Sequence, residues 1–190
     1  MKFSTTDDMI SISAQLSRDP AVESAEPNYY FSAFQLPPDD PFYATTNVVE
    51  KQWYIDKISC RGGWDITTGD PGTIIAVLDT GVMFSHEDLG GKTLSTGWDY
   101  VNNDNDPSDD NGHGTLVSGV IAASSNNGIG ITGINWNAKI LPIKVLDSTG
   151  QGTSEYITQG ILHAVSNNAD VISMSFGGGS SSSAMERAIN

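Results

Sequence analysis

The sequence predicts an α/β fold in which a parallel sheet carries helices on both faces. Two observations lead to this fold class: a continuous apolar run, and the alternation of such runs with helical segments. After residue 72, mostly apolar runs alternate with helical segments, and short loops join them. A continuous apolar run is expected for a strand that is buried on both faces, and strand–helix alternation is typical of a parallel sheet. Ligands of such sheets bind beyond the carboxyl ends of the strands, so the residues that follow each strand are the first candidates for a functional site.

The predicted elements of the sheet region are three strands and three helices. In chain order they are a strand over residues 73–78, a helix over 112–123, a strand over 139–146, a helix over 154–167, a strand over 169–176 and a helix from residue 183 onward. The last helix meets no stop signal before Asn190, which predicts that the chain is truncated.

A separate segment precedes the sheet region. Residues 6–18 are predicted as a helix, because apolar residues share one face and Pro20 ends the run. Residues 22–31 are predicted as a strand. The proline-rich, acidic stretch Leu36-Pro37-Pro38-Asp39-Asp40-Pro41 is predicted as a linker. We therefore expect two parts, residues 1–37 and residues 38–190.

The charge balance excludes several classes of partner. Lys and Arg number 9 against 23 Asp and Glu, which gives a net charge of −14. Such a surface repels nucleic acid and anionic membranes, and it suits calcium binding or simple solubility. The single cysteine, Cys60, excludes an internal disulfide and is assigned a structural role. The sequence has no membrane span, and its first residues lack the apolar core of a signal peptide, so the protein is either cytosolic or begins further upstream.

Two ionisable residues stand where such a fold places active sites. Asp79 ends the first apolar strand, and a carboxylate there needs hydrogen-bond partners. The alternative is an Asp that only caps a turn. His113 opens the next helix between two glycines, which leave the imidazole uncrowded. An Asp that orients a His acting as general base is two thirds of a serine protease triad. The other two histidines, His86 and His163, are predicted to be packed side chains.

Two further motifs are excluded as functional sites. Residues 128–133 fit the pattern G-x-G-x-x-G, but they follow a helix and precede a strand, the reverse of the dinucleotide-binding order. Ser154 is followed by Glu155, whose charge would oppose the negative charge that develops in acyl transfer. A helix N-cap is the expected role of Thr153 or Ser154.

Taken in order, the motifs resemble those of the subtilisin-like serine proteases. Asp79-Thr80-Gly81 and His113-Gly114-Thr115 are similar to the family's Asp and His motifs, in the family's order Asp, His, Ser. The resemblance runs from about residue 40 to residue 190, and the segment Asp39-Asp40-Pro41-Phe42-Tyr43 points to the thermitase-like branch. The sequence departs from the family at Leu116, where many members have His. Further matching segments are Gly62-Gly63-Trp64-Asp65, His86-Glu87-Asp88-Leu89, Gly150-Gln151-Gly152 and Ser173-Met174-Ser175-Phe176-Gly177-Gly178.

The resemblance implies a role for each matching residue. Asp79 would fix the tautomer of His113, and His113 would take the proton from a serine. The segment that would pair with substrate backbone is Gly150, Gln151 and Gly152, and the wall of the primary specificity pocket would be Ser175, Phe176 and Gly177. The family's serine motif and its oxyanion-hole Asn are expected beyond Asn190, so the chain as given is expected to be inactive.

The resemblance also implies structural Ca²⁺ at two sites. The tighter site would join distant segments, through the side chains of Asp40, Asp88 and Asn127 and the carbonyls of Ser125, Ile129 and Ile131. The second lies in the acidic loop over residues 98–111, where unpaired acids would repel one another unless the loop is solvated or a cation holds it. Its ligands would be the carboxylates of Asp99 and Asp104 and the carbonyls of Asn102 and Asp106.

We therefore expect a secreted, monomeric, calcium-stabilised serine endopeptidase that acts on proteins or peptides. Residues 19–29 resemble the closing segment of a subtilase propeptide, a small inhibitory domain, which would be a second partner. One alternative is a natural short form that binds calcium or inhibits but does not catalyse. The other is an unrelated nucleotide-binding α/β protein, which needs a Gly-rich turn directly after the first strand, where this sequence has Asp79-Thr80-Gly81-Val82.

Overall fold

The computed structural model describes residues 8–26, 37–47, 51–178 and 182–190. The chain forms two compact units, Met1–Phe34 and Gln35–Asn190. The first contains α1 (Met9–Leu16), which begins where the Asp8 carboxylate accepts a hydrogen bond from the Ile10 amide. The strand predicted over residues 22–31 is wrong for residues 22–26, because Asp19 forms a turn with Val22 there. Residues 27–31 lie outside the described part of the chain.

The second unit contains a parallel sheet, as the alternating pattern predicts, but it has four strands instead of the three predicted, and the additional strand over residues 98–99 is only two residues long. Its strands are β1 (Ile74–Asp79), β2 (Trp98–Asp99), β3 (Lys139–Lys144) and β4 (Val171–Met174), in the spatial order β2-β3-β1-β4. The helices around them are α2 (Pro41–Ala44), α3 (Trp53–Lys57), α4 (Cys60–Trp64), α5 (His113–Ala122), α6 (Ser154–Ser166) and α7 (Ser183–Ile189). A 3₁₀ turn covers Glu87–Leu89.

Strand β1 is buried on both faces, which explains its uninterrupted apolar sequence. Alternate residues point to opposite sides of the sheet, so Leu78 and Val77 belong to different core clusters. Leu78 packs in the cluster that includes Ile161 of α6, and Val77 packs in the cluster that includes Ala122 of α5. The predicted placement of helices on both faces is therefore confirmed.

The described part of the predicted linker is attached to the second unit. Asp40 is fully buried, and its carboxylate accepts a hydrogen bond from the Asn126 amide at 3.0 Å. Pro41 then begins α2, since a proline at the first helical position loses no hydrogen bond. This segment leads into a third apolar cluster, built from Tyr43, Ile55, Cys60 and Trp64. Burial raises the pKa of the Cys60 thiol, which fits the predicted structural role.

Strand β4 and helix α5 carry exposed apolar side chains. Among the described residues β4 pairs with β1 alone, and its Val171 and Met174 are exposed. Leu116 of α5 is 73% exposed. A concave surface of about 350 Å³ lies between the two elements and is lined by His113, Leu116, Val117, Val120, Ile121, Ser173 and Ser175. This side of the unit therefore presents apolar side chains to solvent.

None of the described helices is both long and apolar enough to cross a membrane.

Candidate active site

The carboxyl ends of β1 and β3 meet at one edge of the sheet. Asp79 is the last residue of β1, and it stands in register with Lys144, the last residue of β3. Helix α5 begins at His113 beside this edge. The parallel pairing therefore places a carboxylate, an ammonium group and an imidazole around the end of β1.

The structure brings Asp79 and His113 into direct contact. Oδ1 of Asp79 lies 2.8 Å from Nδ1 of His113. The Asp79 side chain is buried, whereas the His113 side chain is 48% exposed. An ionised carboxylate can only accept, so Nδ1 carries the proton and Nε2 is left as the acceptor on the other side of the ring. This is the tautomer that a general base requires.

The Asp79 carboxylate is otherwise held by its neighbour. The Thr80 amide donates to Oδ1 at 2.7 Å. Oδ2 is buried and has no hydrogen-bond partner among the described residues. A buried acceptor without a donor is costly, and such groups concentrate at functional sites.

Two glycines allow close backbone approach at the end of β1, where Gly114 of α5 packs against Gly81 and Gly81 packs against the loop at Pro107. A side-chain carbon at Gly114 would lie 2.2 Å from the Gly81 carbonyl oxygen, and one at Gly81 would lie 2.5 Å from the Pro107 carbonyl oxygen. Gly81 also has a φ of +107°, a backbone conformation that residues with a side chain rarely adopt. Any larger residue at Gly114 would push His113 away from Asp79.

Lys144 lies at the same edge of the sheet as Asp79, and the sequence analysis did not assign it to the site. Its ammonium group is buried and donates to the Thr80 carbonyl at 2.9 Å, to the Leu146 carbonyl at 2.8 Å and to Asp110 at 2.6 Å. A lysine that ends a buried apolar strand is unusual, because burial of an unpaired ammonium is costly. A lysine at the end of an apolar strand is therefore the sequence signal that could have identified Lys144.

Asp109 is a second residue that sequence reasoning left without a role. Its two carboxylate oxygens accept five hydrogen bonds, from the amides of Asn111, Gly112 and Thr115 and the hydroxyls of Thr80 and Thr115. Burial opposes its charge, but hydrogen bonds from Gly112, Thr115, Asn111 and Thr80 outweigh burial and lower the pKa of Asp109 to about 2. It stays ionised at any pH above mild acid.

Five of the six residues assigned to substrate binding line one cavity of about 560 Å³. It lies between the loop after β3, helix α6, the end of β4 and helix α7. The five residues are Gly150, Gln151, Gly152, Phe176 and Gly177. Ser175 differs from the expectation, since it lines the concave surface between α5 and β4 together with His113. Successive residues of an extended chain point to opposite sides, which separates Ser175 from Phe176.

The residues assigned to the tighter calcium site face one loop. The buried carboxylate of Asp40 accepts from the Asn126 amide, and the buried carboxylate of Asp88 accepts from the Ile131 amide at 2.9 Å and the Asn127 side chain at 2.9 Å. Burial raises the pKa of Asp40. Two buried carboxylates at one loop fit a cation, because a cation would offset the cost of burying their charge. Ser125 and Ile129, the other residues assigned there, belong to the same loop.

The carboxylates assigned to the second calcium site accept hydrogen bonds from donors in their own loop. Asp99 is buried and accepts from the amides of Val101 and Asn102 and from the Asn102 side chain. Asp104 is exposed and accepts from the Asp106 amide at 2.9 Å. Across the described residues, no group of three or more His, Cys, Asp and Glu is arranged to hold a metal.

The remaining polar residues have structural partners. Both ring nitrogens of His163 are bonded, to the Tyr100 hydroxyl and the Thr96 carbonyl, as expected for a packed side chain. His86 accepts from the Asp88 amide at the start of the 3₁₀ turn. Thr153 caps α6 by accepting from the Tyr156 amide, so its predicted N-cap role is confirmed.

The class of protein defined here is a parallel α/β protein whose sheet carries an Asp–His pair at its carboxyl edge, an arrangement suited to proton transfer. A model of the subtilase family matches residues 70–190, and the chain belongs to that family.

Similar proteins agree with this assignment. A thermophilic serine proteinase of Bacillus sp. (strain AK1) is 42% identical, over 92% of this chain and 42% of its own length. Thermitase of Thermoactinomyces vulgaris is also 42% identical, over 80% of this chain and 52% of its own length. A crystal structure of a cold adapted subtilisin-like serine proteinase matches with a TM-score of 0.54 and 39% identity, over 64% of this chain and 44% of that one. Further relatives are named as extracellular proteases. The chain spans about half the length of the curated relatives it matches.

The depressed pKa of Asp109 predicts a loss of stability in acid. The folded-state pKa is about 2 against an ordinary 3.8, so the contribution is fully present above about pH 4 and is lost as the pH falls through 2. Because the carboxylate is partly solvated, we expect on the order of 1 kcal/mol. Urea unfolding of wild type and Asp109→Asn between pH 5 and pH 2 measures it, with Asp70→Asn as a control for the loss of one charge. Parallel pH dependences for wild type and Asp109→Asn would contradict the prediction.

Proposed function

We propose that the full-length protein is a serine endopeptidase in which Asp79 and His113 are two members of an Asp-His-Ser triad. The observation that carries the proposal is the 2.8 Å contact between Oδ1 of Asp79 and Nδ1 of His113. The buried carboxylate orients the ring and stabilises the imidazolium, while Nε2 removes a proton from the nucleophile and later gives it to the leaving amine. Membership of the subtilase family supports this reaction.

The nucleophile belongs to the part of the protein beyond residue 190. The concave surface between α5 and β4 supports this placement, because His113 opens onto it and its apolar lining is exposed. Covering that surface would bring another segment to the free side of the His113 ring. The 190-residue chain by itself is proposed to be inactive, since triad members act as a unit.

The cavity beside β3 and β4 is proposed to hold the substrate chain. Gly150, Gln151 and Gly152 would offer backbone hydrogen-bonding groups to an extended peptide, a mode of binding that tolerates many side chains. Phe176 and Gly177 would form one wall of the pocket for the side chain next to the cleaved bond. Protein or peptide substrates follow from this arrangement, and we propose a secreted monomer.

Substitution of either triad member tests the catalytic proposal. In the full-length protein, Asp79→Asn should lower kcat by about 10⁴-fold, the loss known for this change in a serine protease of another fold, because the ring would adopt the wrong tautomer. His113→Ala should be at least as damaging. Hydrolysis of a chromogenic peptide measures kcat, circular dichroism verifies folding, and Asp70→Asn serves as the control. Near-normal turnover in a folded Asp79→Asn or His113→Ala variant would contradict the assignment of these residues to the triad.

Residues 1–37 are proposed to be the end of an inhibitory propeptide. Part of this segment lies outside the described residues, so the proposal rests on the sequence resemblance and on membership of the family. A protease of this kind would remove the segment itself, and Pro37 and Pro38 disfavour cuts within their own pair. N-terminal sequencing of the mature enzyme should find a first residue within 31–39. A start well outside that window would contradict the propeptide assignment.

Ca²⁺ is proposed as a structural ion that links the Asp40 segment, the Asp88 turn and the loop over residues 125–131. Asp40, Asp88 and Asn127 would supply side-chain oxygens, and Ser125, Ile129 and Ile131 would supply carbonyls. The ion would neutralise two buried carboxylates and fix three distant segments. For the acidic loop of Asp99, Asn102, Asp104 and Asp106 a second, weaker site is proposed.

Removal of calcium tests the tighter site. A ligand at a hundred times its dissociation constant adds about 2.7 kcal/mol, so chelation should lower the Tm of the full-length protein markedly. Asp88→Ala should abolish most of the difference between calcium and chelator, whereas Asp70→Ala, in an exposed turn outside both proposed sites, should retain it. The difference, not the Tm itself, is the measurement, because Asp88→Ala also removes hydrogen bonds. A full chelator effect in Asp88→Ala would exclude the site.

A further inference from the structure

We propose that Asp109 is a positioning residue, which holds Asp79 and His113 at the separation that their hydrogen bond requires. The inference rests on the proposed function, since it assigns a role within the same site. Among the described residues, the hydrogen bonds of Asp109 go to neither Asp79 nor His113. It contacts the residue after Asp79 and the residues on both sides of His113.

The first link runs from Asp109 to the end of β1. Oδ1 of Asp109 accepts from the Thr80 hydroxyl at 2.8 Å, and that same hydroxyl accepts from the Gly114 amide at 2.9 Å. A hydroxyl has one proton, so its donation to the carboxylate leaves its lone pairs for Gly114. Thr80 thereby joins Asp109 to the residues adjacent to both members of the pair.

The second link runs from Asp109 to the start of α5. Oδ1 accepts from the amides of Asn111 and Gly112, and Oδ2 accepts from the Thr115 amide at 2.9 Å and the Thr115 hydroxyl at 2.5 Å. The Thr115 hydroxyl in turn accepts from the Met83 amide at 2.9 Å. Each threonine therefore repeats one arrangement: its proton points to Asp109, and its lone pair receives an amide from the opposite element.

The loop that carries Asp109 is also packed against β1. The Val82 amide donates to the Pro107 carbonyl at 3.0 Å, and the chain at Gly81 leaves no room for a side chain there. Asp109 thus closes a ring of hydrogen bonds through residues 80–83, 107–109 and 112–115. A change in the length of any bond in this ring moves the first turn of α5, and His113 with it.

A carboxylate is the only side chain of this size that suits the ring. Each oxygen of Asp109 accepts at least one backbone N–H, which cannot reverse its role. An amide at this position would place an NH₂ group against an N–H in either orientation. Asp109→Asn is therefore a disruptive change despite its equal size.

The experiment compares Asp109→Asn with Asp70→Asn in the full-length protein. Asp70 accepts a hydrogen bond from the Gly72 amide in an exposed turn, so its substitution removes the same charge away from the site. We expect kcat per folded molecule to fall about 10- to 100-fold in Asp109→Asn, the scale of an ångström misplacement of a catalytic group. KM should stay near its wild-type value, because Asp109 is absent from the lining of the substrate cavity. Asp70→Asn should match wild type in both constants.

A spectroscopic measurement separates this inference from the proposed function. The Nδ1 proton of His113, bonded to the Asp79 carboxylate, should give a far-downfield proton resonance in wild type and Asp70→Asn, and should lose or shift it in Asp109→Asn. This signal does not depend on peptide hydrolysis. If wild type hydrolyses no peptide, the proposed function fails while the resonance still decides the role of Asp109. An unchanged resonance and unchanged kcat in folded Asp109→Asn would overturn the inference.

A second pair of variants covers the case in which Asp109→Asn does not fold. Thr80→Val removes the hydroxyl and keeps the shape, whereas Thr80→Ser keeps the hydroxyl. We expect Thr80→Val to lower kcat and shift the His113 resonance. Thr80→Ser should keep both kcat and the resonance near their wild-type values. Equal kcat and equal resonances in wild type and Thr80→Val would overturn the inference by themselves.

Discussion

The structure around the candidate site depends on one constraint: Asp79 is an acidic residue at the buried end of an apolar strand. A carboxylate removed from water is costly unless donors surround it. The protein supplies His113, whose ring nitrogen lies 2.8 Å away, and the amide of Thr80. The buried Lys144 adds a positive charge next to Thr80 and Leu146, at the ends of the two central strands. The hydrogen bond from His113 that makes the buried charge tolerable also orients the imidazole.

The second requirement is close approach between two backbones. Helix α5 begins so near to the end of β1 that Gly114 leaves no space for a side chain, and Gly81 is crowded in the same way by the loop at Pro107. Glycine lowers stability through its conformational freedom, and hydrogen bonds must then define the backbone. The ring of bonds through Asp109 supplies that definition where the end of β1 meets the start of α5. Packing places the two elements side by side, and the polar ring sets their separation.

The sequence predicts the sheet well because its signals are strong and local. An uninterrupted apolar run identifies β1, and the carboxyl-edge rule then singles out Asp79. The helices α2, α3 and α4 are missed because four or five residues are too few to show a period. Lys144 and Asp109 are missed for a different reason. Their partners lie up to about 64 residues away in sequence or on the far side of a loop, so their roles exist only after the chain has folded.

The acidic residues fall into two kinds, which the density of charge in the sequence does not separate. A crowd of aspartates in one loop suggests repulsion that a cation must relieve. In the structure, several of these carboxylates accept a hydrogen bond from the amide two residues further on, and this local bond forms a turn. The same local bond occurs at Asp8, Asp19, Asp70, Asp99, Asp104, Asp109 and Asp147.

Asp40 and Asp88 are of another kind. Both are buried, and both bind amides from a loop more than forty residues away in the chain, at Asn126 and Ile131. A local turn is stable with its charge in water, but a buried carboxylate that joins distant segments gains most from a cation, because burial penalises its charge. Burial and sequence separation, rather than the density of acids, therefore distinguish the site where calcium would matter for stability.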